Sequence, residues 1–121
     1  KAEYGLRAMA NLAGCFPAQK NIREISEEEN ISLKYLERLV GKLKINNLVK
    51  SQKGKSGGYT LAKKPSDIKV GEIVEVLEGP IAPMKCSLCG IEEKCSSSFV
   101  WVKLGKEIKK TLDGIRLSEL I

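Results

Sequence analysis

Cys86, Cys89 and Cys95 form a C-x2-C-x5-C pattern in a chain that contains no histidine. Thiolates at that density are soft ligands, suited to zinc or to an iron–sulfur cluster. Both centres usually take four donors, so three thiolates leave one position for a donor other than imidazole. A structural zinc ribbon would add a second paired set of cysteines, which the sequence lacks. Thiol redox switching without metal is a further option, because neighbouring Lys85 and Lys94 favour the thiolate. The remaining cysteine, Cys15, follows the first helix and reads as a small buried hydrophobe.

Little else in the chain suits covalent chemistry. There is no nucleophile–base arrangement, and Gly54-Lys55-Ser56 matches only the end of a phosphate-binding loop, without the upstream glycine or the strand-to-helix setting. These absences argue against an enzyme. Charge points elsewhere. The net charge is +6, and residues 1–70 carry 14 Lys/Arg against 7 Asp/Glu. From Arg38 to Ser66 there is no acid but eight bases, a one-sided field suited to a polyanion, nucleic acid first among them. A small electron-transfer protein would account for the cysteines and leave this stretch unexplained.

The elements that must position these groups follow from periodicity. Ala2 to Ala13 reads as a helix with Leu6, Met9, Ala10 and Ala13 on one stripe, closed by Pro17. Ile22 to Glu29 is a second, short helix. Ser32 can cap a third, whose Leu33, Leu36, Leu39, Val40 and Leu43 turn inward while Lys34, Arg38 and Lys42 repeat on another face. Asn46-Asn47 ends it. Leu48–Gln52 and Tyr59–Leu61 flank a glycine-rich basic tip, the pattern of a hairpin. Three short helices followed by such a hairpin describe a winged helix-turn-helix, with the third helix in the major groove. Val70 to Leu77 is a short helix broken by Gly79-Pro80. Phe99 to Leu112 is a longer one, with Trp101, Leu104, Ile108 and Leu112 as an apolar seam that suits a symmetry mate.

The fold class is therefore mainly α with a small β-hairpin wing. Residues 1–64 are expected to form the winged helix-turn-helix. Residues 65–98 carry a short helix and the cysteine-bearing sensor loop, and residues 99–121 the dimerisation helix and C-terminal segment. No apolar run approaches the roughly 18 residues of a membrane span, and no secretory signal is evident. Four cysteines could form two disulfides in a secreted protein, but the Lys/Glu-rich, loop-poor helical pattern argues for a reducing cytoplasm. The chain opens at Lys1 without methionine, so a few native residues are expected to precede it.

Several motifs in register resemble the IscR/NsrR/CymR-type winged-helix transcription regulators across essentially the whole chain. They are Lys1-Ala2-Glu3-Tyr4-Gly5-Leu6-Arg7-Ala8-Met9, Ile31 to Leu39, Gly57-Gly58-Tyr59-Thr60-Leu61, Val70-Gly71-Glu72-Ile73 and Leu77-Glu78-Gly79-Pro80. The resemblance implies a bacterial homodimer, mostly a repressor in this family, on a pseudo-palindromic operator of double-stranded DNA. It places Ser32, Lys34, Tyr35 and Glu37 toward base edges or neighbouring phosphates, with Arg38 on the same helix. Glu37 can accept from cytosine N4, or simply balance the basic residues around it; Tyr35 can read or pack at the groove edge. Lys53 stands where the family often has an arginine entering the minor groove. Lys55-Ser56 replaces a common Pro-Gly, making the tip more flexible and more cationic.

The resemblance also implies that the three cysteines hold an iron–sulfur cluster, of 2Fe–2S type in preference to 4Fe–4S, with zinc or no cofactor as alternatives. Cys89-x5-Cys95 has the family spacing, whereas the interval from Cys86 to Cys89 is shorter than usual. Ser98 occupies the position of a histidine ligand in one branch and is a poor donor. In other branches a carboxylate from the partner subunit completes the set, and the matching residue is Glu3, which as a bland alternative is a surface acid near its helix N-terminus. Some relatives lack the cysteines and respond to a partner metabolic enzyme.

Overall fold

The computed structural model describes residues 1–52, 57–79 and 98–121. Helix α1 spans Ala2–Cys15, two residues beyond the expected end, and α2 spans Ile22–Glu29. The Asn21 side chain accepts the Glu24 N–H at 2.8 Å and so caps α2. Asn30 ends that helix in the left-handed conformation, at φ 55°. Two residues later Ser32 caps α3, Leu33–Ile45, by accepting the Tyr35 N–H at 3.4 Å. The turn between them is locked from within, since Ser26 donates to the Ile31 carbonyl at 2.5 Å. Lys42 and Lys44 lie in the last turn of α3, where cations complement the helix dipole.

Strands β1, Val49–Gln52, and β2, Gly58–Leu61, pair antiparallel, with Val49 opposite Leu61 and Gln52 opposite Gly58. The free edge of β2 takes one more partner. Lys20 and Tyr59 exchange backbone hydrogen bonds of 3.0 and 2.8 Å, which ties the α1–α2 connection to the wing. Gly58 permits this approach, because a Cβ there would lie 2.6 Å from the Lys20 carbonyl oxygen.

Helix α4, Val70–Glu78, packs on α1, and α5, Ser98–Asp113, packs on α4. The chain then turns back into the body. Val70 N–H donates to the Ile115 carbonyl at 2.8 Å, and Leu117 N–H donates to the Ile68 carbonyl at 2.9 Å. Leu117, in a closing 3-10 turn, is fully buried beside Met9, Leu12, Leu36 and Ile73. Thus one core joins α1–α4, the hairpin and the C-terminal turn. Among the described residues no helix is long and apolar enough to cross a membrane.

Candidate nucleic-acid interface

Helix α3 divides cleanly into two faces. Leu36, Leu39, Val40 and Leu43 are buried against the core. The helical period brings Lys34, Glu37, Arg38, Gly41 and Ile45 onto the opposite side, where Lys34, Glu37, Arg38 and Ile45 are exposed. Among the described residues no ion pair engages Lys34, Glu37 or Arg38. The local acid–base balance suggested for Glu37 is therefore not made as a direct contact. Gly41 is the residue that periodicity alone passed over. A Cβ at Gly41 would meet nothing within 4 Å, so internal packing does not require a glycine there. Glycine in a helix interior costs about 1 kcal/mol relative to alanine. That penalty, on the outer face, was the available sequence signal.

Tyr35 is half-buried, and its ring meets Tyr4 edge-on, with centroids 5.8 Å apart and an interplanar angle of 87°. The Arg7 guanidinium lies 5.7 Å from the Tyr4 centroid and also donates to the Glu29 carbonyl, with its Nε 3.4 Å from Glu29 Oε1. The first two turns of α1 are thereby clasped to the start of α3 and the end of α2. A small cleft of about 160 Å³ between α1 and α3 is lined by Lys1, Tyr35, Arg38, Leu39 and Lys42, three of them cationic.

A second clasp holds α2. Lys20 Nζ donates to Glu28 Oε1 at 2.7 Å and to Asn11 Oδ1 at 2.8 Å, while the Asn11 amide donates to Glu28 and Glu29. The hydrogen bond with Glu28 raises the Lys20 pKa above its ordinary value, and the same bond lowers that of Glu28. The charged pair is intact through neutral pH. It is lost as pH falls through the lowered Glu28 pKa or rises through the raised Lys20 pKa.

Glu3 is exposed in the first turn of α1, and among the described residues no hydrogen bond or ion pair engages it. Glu78, by contrast, accepts from the Ala2 N–H at 3.1 Å. Lys53 and Lys55 at the wing tip, and Cys86, Cys89 and Cys95, lie outside the described residues. Cys15 is half-buried, its Sγ 3.4 Å from the Leu12 carbonyl oxygen, consistent with a packing role.

The α5 seam is present but incompletely covered. Trp101, Ile108 and Leu112 are half-buried, Leu104 is 42% exposed and Phe99 71% exposed. The end of α5 is firmly anchored to α4, with Lys109 bridging Glu75 at 2.7 Å and Asp113 at 3.1 Å.

Comparison with known proteins agrees with this architecture. The Rrf2 family, described as iron-dependent transcriptional regulators, matches residues 1–121. The chain is 37% identical over 123 residues to the HTH-type transcriptional regulator CymR of Bacillus subtilis, covering 99% of this chain and 86% of that protein. It is 36% identical to the HTH-type transcriptional regulator IscR of Aliivibrio salmonicida, covering all of this chain and 74% of that protein. The solved structure of T. potens IscR superposes with a TM-score of 0.79 at 38% identity, over 98% of this chain and 81% of that one. CymR of B. subtilis, described as its global cysteine regulator, gives 0.83 at 34% identity, over 98% and 91%. These relatives are named as regulators, not enzymes.

Proposed function

Because the chain belongs to the Rrf2 family of transcriptional regulators, we propose that it acts as a homodimeric repressor on a pseudo-palindromic DNA operator, controlled by an iron–sulfur centre on its cysteine loop. The carrying observation is the outer face of α3: Lys34, Glu37 and Arg38 are exposed and unpaired among the described residues, on a helix whose other face is locked in the core. Such a helix can enter the major groove, with Lys34 and Arg38 donating to guanine edges or phosphates and Glu37 accepting from cytosine. Ser32 and Tyr35 sit at its N-terminal end, and Lys53 and Lys55 extend the contact from the wing into the minor groove or onto phosphates. The uncovered apolar side of α5 supports a two-fold interface that sets the spacing of the two α3 helices.

Cys86, Cys89 and Cys95 supply three soft donors appropriate to an iron–sulfur centre, and Glu3 of the partner subunit supplies the fourth. Glu3 suits that task because its carboxylate has no competing partner among the described residues. A bound 2Fe–2S cluster supplies redox and iron sensitivity at this position. The protein's own part is mechanical: Glu3 precedes Tyr4, Tyr4 touches Tyr35, and Tyr35 belongs to α3, so a pull on the first turn of α1 reaches the reading helix within one contact. The similarity to CymR, described as a global cysteine regulator, favours a second reading, in which the same fold is controlled without a cluster, by a partner metabolic enzyme or by zinc or thiol redox chemistry. Visible and EPR spectra of anaerobically purified protein, with iron and sulfide analysis and operator binding in the same states, separate the two. Colour, iron and sulfide that change operator affinity support the cluster. Colourless protein that binds the operator identically after reconstitution removes it and leaves the second reading.

A further inference from the structure

Strand alternation sends Val49 and Leu61 into the core and leaves Lys50 and Thr60 on the other face of the hairpin. On that face the hairpin, the Phe16–Pro17 turn and the segment following β2 enclose a cleft of about 460 Å³. Small-ligand sites generally fall between about 300 and 1,000 Å³. Lys50, Lys63 and Lys64 all line the cleft, together with Gln52, and no carboxylate does so among the described residues. Among the described residues, Lys63 alone of the three makes an ion pair, with Glu72 at 3.3 Å, and that pair is solvent-accessible. Lys50 and Lys64 bring like charge to one concavity without an ion pair among the described residues, and a counter-anion relieves that positive potential.

The rest of the lining narrows the ligand. Thr60 is only 2% exposed, and its hydroxyl is 3.5 Å from the Pro17 carbonyl oxygen, so the cleft wall is held in place. Phe16 and Pro17 add apolar surface beside the cations. We propose that this cleft is a binding site for a small organic anion, a carboxylate or phosphate on a compact apolar body. The amide of Gln52 with Lys50 and Lys64 holds the anionic head, and the Phe16–Pro17 turn meets the body. An occupant here would bridge the root of the wing to the end of α1.

The test is a titration of the full ¹⁵N-labelled chain with butyrate and, separately, with inorganic phosphate, at constant ionic strength against chloride. Saturable shifts at the Lys50, Thr60 and Ala62 amides with either probe are expected, and the probe that saturates identifies the head group. A Lys50→Gln/Lys64→Gln variant, altered only at exposed positions, should keep its spectrum and bind at least tenfold more weakly. Shifts that rise linearly and spread equally to Lys103 and Lys106 on α5 overturn the site. So does a failure of both probes in which the same variant flattens the salt dependence of operator binding, by about 0.9 in log–log slope per lost phosphate contact, because the lysines then serve the DNA backbone. The probe titration reads the cleft directly, so its outcome does not depend on whether the chain represses transcription.

Discussion

Helices α3 and α5 both carry an apolar stripe at helical spacing, and the protein treats the two stripes differently. On α3, Leu36 and Leu43 are completely buried, and what remains outside is polar apart from Ile45, the last residue of the helix, which is 80% exposed. On α5, Leu104 and Phe99 stay exposed after the chain has folded. An isolated stripe says only that a face avoids water. Whether its cover is intramolecular depends on how many elements the chain can bring around it. Among the described residues, helix α3 lies among α1, α2, α4 and β1, whereas α5 has α4 as its main neighbour. The contrast is what the proposed function rests on, with α3 reading DNA through its polar side and α5 associating through its apolar one.

The largest effect should come from the buried stripe. Leu36→Ala removes a completely buried side chain and should destabilise the protomer by about 2–5 kcal/mol, read by denaturant unfolding. A loss below about 1 kcal/mol would mean that the site collapses or is not core. Leu104→Glu tests the other stripe. It should leave the unfolding midpoint of the protomer nearly unchanged yet weaken self-association roughly a hundredfold, about 2.7 kcal/mol, by analytical ultracentrifugation. Unaltered association would place the dimer contact elsewhere and end the contrast.

Smaller effects probe the polar side of α3. Glu37→Ala should relax preference at one base pair by about 1–3 kcal/mol, measured on a panel of operator variants. An equal loss across all variants would instead assign Glu37 to general positioning. Gly41→Ala should raise stability by about 1 kcal/mol, since the helix gains propensity and the added methyl group meets nothing inside. It should lower operator affinity if DNA approaches the helix backbone there. Higher stability with unchanged affinity would show that Gly41 does not lie in the contact.

Much of this was legible in the residue pattern. Ser32 announced the start of α3, and the Leu36–Leu39–Val40–Leu43 period marked its inner face. The hairpin was visible from two short runs around a glycine-rich tip, and the acid-free stretch from Arg38 to Ser66 marked the basic surface. These are local signals, because caps, helical periods and strand alternation act over a few residues. Tyr35 was harder to place. Its spacing on α3 could serve base contact or packing, and only Tyr4, 31 positions earlier, makes it the clasp between α1 and α3. Gly41 left a faint trace as an energetically poor helix residue, and its meaning needed the knowledge that no neighbour crowds it.

The amino-acid sequence by itself determined the helices, the wing, the polar and apolar faces and the set of donors that a metal centre could use. Tertiary structure alone decided which distant segments share them. It brought Lys20 to the edge of β2 across Gly58, folded Leu117 from the C-terminal turn into the core and gathered Lys50, Lys63 and Lys64 around one cleft. No local rule encodes those meetings. Backbone groups and apolar side chains find partners wherever the whole chain can bury them together, and that is settled by the packing of all elements at once.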